Sequence, residues 1–191
     1  MIVLENVTKS YNGQIVLKDF SYTFEKGKIY FVKGPSGIGK TTLLRIASGL
    51  EKPDAGRVYF RETPEFCIMF QEDRLLENYS AARNLEIVMP GIDPAVIRKN
   101  LEKLIPAEET DKPVSELSGG TKRRVAAMRA LLFTGNILFM DEPFAGLDEE
   151  NRHNVQRVIE ELRGQRVCVI ASHLIPEGAK AEFIELDGGV E

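Results

Sequence analysis

Cysteine and histidine are both scarce here, two of each in 191 residues. So few thiols exclude a disulfide-stapled scaffold. The spacing gives no support to a zinc site, because neither Cys67 nor Cys168 has a CxxC partner or a nearby histidine at metal spacing. Both lie in short apolar runs, 66–70 and 167–171, and read as buried, reduced thiols of a cytoplasmic protein. No apolar run approaches the roughly 20 residues that a bilayer span requires. The amino terminus opens on a strand pattern rather than a charged segment followed by an apolar one, so no signal peptide is expected. If the protein serves a membrane process, another chain supplies the membrane part. Excess positive charge is missing too. A net charge of -4 leaves no general basic face, which argues against nucleic acid as a partner. The local run Lys122-Arg123-Arg124 reads as a solvated helix face or an anion-side charge.

What is present fits one soluble domain over residues 1–191, with 43% apolar and 28% charged residues. Strand signals cover 2–7, 15–24, 28–32 and 57–60, punctuated by Asn12-Gly13 and Lys26-Gly27. A helix over 40–48 interrupts them. Residues 78–104 read as helical with a break at Pro90-Gly91 and a new start at Asp93-Pro94. A polar stretch leads to another helix over 122–133, then strand 137–140, helix 149–163 and strand 166–171. Strands alternating with helices predict an α/β fold with a mainly parallel sheet covered on both faces. The span 78–122 lacks strand signals and is the expected helical subdomain.

Two glycine-rich stretches carry the chemistry. Gly34-Pro35-Ser36-Gly37-Ile38-Gly39-Lys40-Thr41-Thr42 fits G-x-x-x-x-G-K-[ST], follows an apolar strand and precedes a helix. Its backbone N–H groups are expected to wrap phosphates, with Lys40 on the β and γ phosphates and the Thr41 hydroxyl on Mg²⁺. Leu117-Ser118-Gly119-Gly120-Thr121 reads as a second phosphate cradle. One nucleotide with two cradles implies that two copies of the chain share it. The apolar strand Ile137-Leu138-Phe139-Met140 ends in Asp141 and Glu142, at the strand edge where ligands bind. Asp141 is placed to hold Mg²⁺, and Glu142 to take a proton from the attacking water.

In this order the pieces resemble the ATP-binding cassette of ABC transporters over nearly the whole chain. Tyr11 is similar to the aromatic residue that stacks on adenine, Gly34 to Thr42 to the Walker A loop, and Gln71 to the Q-loop glutamine. Ser118, Gly119 and Gly120 resemble the signature, the strand ending at Asp141 and Glu142 Walker B, Asp148 the D-loop and His173 the switch histidine. The resemblance implies a P-loop NTPase fold with an N-terminal antiparallel β subdomain, and ATP and Mg²⁺ as cofactors. It implies catalytic roles for Lys40, Gln71, Glu142 and His173, and metal contacts from Thr41, Gln71 and Asp141. It also implies a head-to-tail dimer around two ATP molecules, with Ser118 and Gly120 reaching the partner's γ-phosphate and Asp148 linking the sites. Taken singly, Tyr11 and His173 could be core residues, and Gln71 and Asp148 turn or cap residues; their co-occurrence favours the functional reading.

The resemblance further implies a separate transmembrane permease subunit, a substrate-binding protein beyond it, and a peripheral place on the cytoplasmic side of the membrane. The residues after Gln71 look most like importers of the nitrate, sulfonate or taurine type, and the segment 71–86 is expected to receive the permease. Little chain follows His173, which predicts no appended regulatory domain. Two positions depart from the pattern. Thr121 stands where glutamine is common, and Leu174 follows His173 where aspartate often does. Three readings stay open: a transporter ATPase subunit, which leads; a peripheral cassette that drives no transport; and a nucleotide-sensing module with little turnover.

Overall fold

A computed structural model describes residues 1–186 of the chain, so residues 187–191 of the predicted domain lie outside the described residues. Two sheets form. β1 (Ile2–Tyr11), β2 (Gln14–Phe24) and β4 (Ala55–Phe60) make an antiparallel sheet of order β2-β1-β4. β3 (Ile29–Lys33), β5 (Phe66–Met69), β6 (Ile137–Asp141), β7 (Val167–Ala171) and β8 (Glu182–Glu185) make a parallel sheet of order β5-β6-β7-β3-β8. Between them run α1 (Lys40–Ala47), α2 (Ala81–Val88), α3 (Pro94–Leu101), α4 (Gly119–Leu132) and α5 (Glu149–Leu162).

The β1–β2 hairpin follows from Asn12 and Gly13, whose positive φ values of 50° and 83° suit a tight turn matched to strand twist. In the parallel sheet, strand alternation sorts the core into two halves. Phe31, Leu138, Met140 and Ile170 face α2 to α5, whereas Tyr30, Val32, Phe139 and Val169 pack with α1 and with Ile2, Leu4 and Phe24 of the antiparallel sheet. Cys67 and Cys168 are buried free thiols. Burial pushes the Cys168 thiol up to about 12.

Two strands were not legible as strands. β5 is only four residues long, and β8 is Glu-Phe-Ile-Glu with Ile184 alone buried. Both are edge strands, so neither has to bury two faces. Between 78 and 122 lie α2, α3, two short 3-10 turns and the first turn of α4, with one isolated bridge between Ser80 and Pro113.

The reading of Lys122-Arg123-Arg124 as a solvated face needs correction. Arg123 is 6% exposed, and Arg124 is half-buried and donates to the Leu104 carbonyl at 2.5 Å and to Asn151 Oδ1 at 2.9 Å. The reason is that α4 is enclosed rather than lying on the surface. Val125, Ala126, Ala127, Met128, Ala130 and Leu131 are all buried, so little of its circumference meets water.

Candidate active site

β3 delivers the chain into the loop that precedes α1. Gly34, Gly37 and Gly39 all have positive φ, at 143°, 81° and 114°. A Cβ on Gly39 would lie 2.7 Å from Val16 Cγ1 and 3.0 Å from the Val16 carbonyl, so only glycine fits there. Each of the other α-helices begins at a side-chain cap: Ser80 accepts from Arg83 N, Asp93 from Ala95 N, Ser118 from Thr121 N and Asp148 from Asn151 N. Among the described residues, α1 alone begins without one, and its first turn carries no acid. Its leading N–H groups, at the positive end of the helix, therefore have no side-chain acceptor and suit an external anion.

Lys40 is buried and folds back over the loop. Its Nζ donates to the Gly34 carbonyl at 2.8 Å and the Pro35 carbonyl at 3.1 Å, and lies 3.6 Å from Glu142 Oε1. Glu142 has φ of 51°, a left-handed conformation costing about 1–3 kcal/mol in a residue with a Cβ. Its N–H donates to the Ala171 carbonyl at 2.7 Å, extending the β6–β7 ladder by one bond. Its carboxylate accepts from Ser172 Oγ at 3.2 Å and from the His173 N–H at 3.2 Å, and lies 2.8 Å from His173 Nδ1. Lys40, Glu142 and His173 thus meet in one cluster. His173 is 53% exposed and forms its open side.

Asp141 is 5% exposed, and its Oδ1 is buried without a hydrogen-bond partner. Burial pushes its carboxyl up, and the Thr41 hydroxyl pulls the other way. A buried acceptor without a donor is costly, and a cation removes that cost. No cluster of three or more His, Cys, Asp or Glu that could hold a metal ion exists among the described residues. Thr41 and Asp141 do fit Mg²⁺, which is bound through one or two carboxylates together with phosphates and several waters.

A recess of about 550 Å³ joins these groups, within the range of small-ligand sites. Ser36, Gly37, Thr42, Gln71 and Tyr11 border it together with Lys40, Thr41 and Glu142. The Ile38 N–H closes the loop onto the Pro35 carbonyl at 3.4 Å. Gln71 follows β5 with its side chain exposed. Tyr11 is 41% exposed; its hydroxyl donates to Glu51, and Lys9 Nζ lies 5.4 Å from its ring centroid. Burial, then Glu51, pushes the Tyr11 hydroxyl up. Glu51 as a support of Tyr11 carries no local sequence signal, because the two meet only when the hairpin packs beside the end of α1.

The second glycine loop lies elsewhere. Ser118 caps α4, and its Oγ lies 2.9 Å from Thr121 Oγ1. No hydrogen bond joins Ser118 or Gly120 to the Lys40 loop among the described residues; Gly119 borders a broader recess shared with Pro35, Ser36 and His173. Asp148 caps α5, and Asn151 donates to both of its carboxylate oxygens, which lowers its pKa. Neither Ser118 nor Asp148 joins the Lys40–Glu142 cluster within one chain. Arg123 was missed altogether as a site residue. Its available signal was its place four and seven residues before the apolar positions Ala127 and Ala130, a core-facing stripe.

Comparison with known proteins gives one consistent outcome. The family model described as ABC transporter matches residues 17–145. The chain is 38% identical over 180 residues to an aliphatic sulfonates import ATP-binding protein of Shouchella clausii (strain KSM-K16), covering 91% of this chain and 71% of that protein. It is 33% identical over 178 residues to a spermidine/putrescine import ATP-binding protein of Mycoplasma capricolum, covering 85% of this chain and 51% of that one. The chain therefore spans about half the length of the polyamine relatives it matches. A dimeric, post-hydrolysis structure of the ATP-binding cassette MJ0796, bound to ADP and Pi, superposes with a TM-score of 0.84 at 26% identity. That superposition covers 99% of this chain and 95% of the other.

Proposed function

Because the chain belongs to the ABC transporter family, we propose that it is the ATP-binding and hydrolysing subunit of a transporter whose membrane-spanning part is a separate chain. The observation that carries this reading is α1, which begins uncapped above a buried acid and beside the Lys40–Glu142–His173 cluster. Among the described residues no helix is long and apolar enough to cross a membrane.

In this reading the phosphates of ATP take the N–H groups of the 34–42 loop, and Tyr11 stacks on adenine. The γ-phosphate replaces the Gly34 and Pro35 carbonyls as the partner of Lys40. Thr41, Asp141 and Gln71 hold Mg²⁺, which when bound neutralises charge on the β and γ phosphates. Glu142 accepts the proton of the attacking water, and His173 orients Glu142 and faces the γ-phosphate. Ser118 and Gly120 of a second copy close over that phosphate, Asp148 links the two sites, and loss of the phosphate after hydrolysis reopens the pair. The import names of the relatives support uptake as the direction of transport and the cytoplasmic face of the membrane as the location. A substrate-binding protein outside the membrane would supply the cargo.

The test is Glu142→Gln. ATP binding is expected to persist while turnover falls by about 10²- to 10⁴-fold, the usual contribution of a positioned base. The variant is expected to accumulate as an ATP-dependent dimer by light scattering. Wild-type turnover in Glu142→Gln would remove Glu142 from the role of base, and a wild type unable to hydrolyse ATP would favour a nucleotide sensor.

A further inference from the structure

One buried guanidinium ties together three segments that the motifs treat separately. Arg123 lies on the second turn of α4, and its Nε and Nη2 both donate to the Glu142 carbonyl, at 2.9 and 2.6 Å. Nη2 also donates to the Asp141 carbonyl at 2.6 Å. Nη1 donates to the Gln71 carbonyl at 2.7 Å, to the Phe70 carbonyl at 3.3 Å and to Asp73 Oδ1 at 2.8 Å. The side chain is 7% exposed and Asp73 is its ion-pair partner.

Two features make this more than packing. Glu142 holds a left-handed backbone that its residue type disfavours, and Arg123 grips the carbonyl of that residue with two of its nitrogens. Gln71 is exposed and belongs to no strand or helix, yet its carbonyl is fixed by the same side chain. A planar fork can span both carbonyls at once, whereas an ammonium is a point charge that cannot.

We propose that Arg123 is a positioning residue that locks the Gln71 segment and the Glu142 backbone into one register, and so sets the geometry of hydrolysis. The consequence for turnover rests on the reading of Glu142 as the base; the bracing itself does not.

The test compares wild type, Arg123→Gln and Arg123→Lys by hydrogen–deuterium exchange, by binding of N-methylanthraniloyl-ATP, and by steady-state hydrolysis. In Arg123→Gln, peptides covering 71–75 and 142–145 are expected to exchange faster, while those of α5 and the antiparallel sheet keep wild-type rates. Nucleotide affinity is expected to stay within about threefold while kcat falls by about 100-fold, the scale of a 1 Å misplacement. Arg123→Lys, which keeps the charge and tolerates burial beside Asp73, is expected to fall between. Unchanged exchange in both segments, uniform loosening of the whole chain, or wild-type kcat in Arg123→Gln would overturn the proposal. If the localised exchange appears but the wild type hydrolyses nothing, the bracing stands and the assignment of ATP turnover falls.

Discussion

The loop before α1 and the loop before α4 are both glycine-rich, and both open a helix. They differ in what answers the first N–H groups. At α4 the chain answers for itself, through Ser118 onto Thr121 N. At α1 the cap residue, Gly39, has no side chain to do so, and Lys40 at the helix start lies 3.6 Å from Glu142, the residue that follows β6. A capped helix start is stable alone and can wait for a partner; an uncapped one beside a buried orphan carboxylate oxygen is poised for a ligand.

The comparison is sharpest in a pair of substitutions. Lys40→Ala removes the cation of the first loop and is expected to weaken ATP binding to the single chain by about 2–5 kcal/mol, the scale of truncating a buried charged partner. Ser118→Ala is expected to leave that binding intact and to abolish ATP-dependent dimerisation. Titration with a fluorescent ATP analogue, followed by light scattering, separates the two. Loss of nucleotide binding by the monomer in Ser118→Ala would break the distinction.

A second pair acts through the backbone. Gly39 has φ of 114° and a Cβ there meets Val16 at 2.7 Å, whereas nothing lies within 4 Å of a Cβ on Gly119. Gly39→Ala is expected to destabilise by about 1–2 kcal/mol from left-handed strain alone. Gly119→Ala lies in the first turn of α4 and is expected to be neutral or to stabilise by up to about 1 kcal/mol. Denaturant titration checks both, and equal losses would show that the two loops share one backbone constraint.

The residues of the first loop and of Asp141 and Glu142 were legible because their spacing is local. A strand, a glycine turn and a lysine at the helix start imply one another within nine residues, and an apolar strand ending in acids implies its own sheet edge. β8 was not legible, because a short strand with glutamate at each end owes its place to β3 and not to its own pattern. Arg123 was legible at most as a residue on a core-facing stripe; its partners were not. Its sequence context is basic and looks solvated, and only the fold brings the carbonyls of residues 70, 71, 141 and 142 around it, from segments 18 to 53 positions away. The single chain likewise keeps Ser118 and Asp148 occupied as helix caps, which is the role their local sequence specifies.

Thr121 gives the finest test of the difference between the loops. It stands where the related pattern commonly has glutamine, and its hydroxyl is buried between Ser118 Oγ at 2.9 Å and Arg124 Nη2 at 3.3 Å. Arg124 in turn reaches Asn151, which holds Asp148. The short threonine therefore closes a hydrogen-bonded line from the second glycine loop to the start of α5, inside one chain. Thr121→Val keeps the shape and the backbone N–H that Ser118 accepts, and breaks only that line. A loss of about 0.5–1.5 kcal/mol in stability is expected from the hydroxyl alone. ATP binding by the monomer is expected to be unchanged, while ATP-dependent dimerisation shifts, because Ser118 loses the neighbour that orients its hydroxyl. Thr121→Gln, by contrast, should crowd the buried position and cost more stability than valine does. If valine leaves both stability and dimerisation at wild-type values, the line carries no load and α4 begins with an ordinary cap.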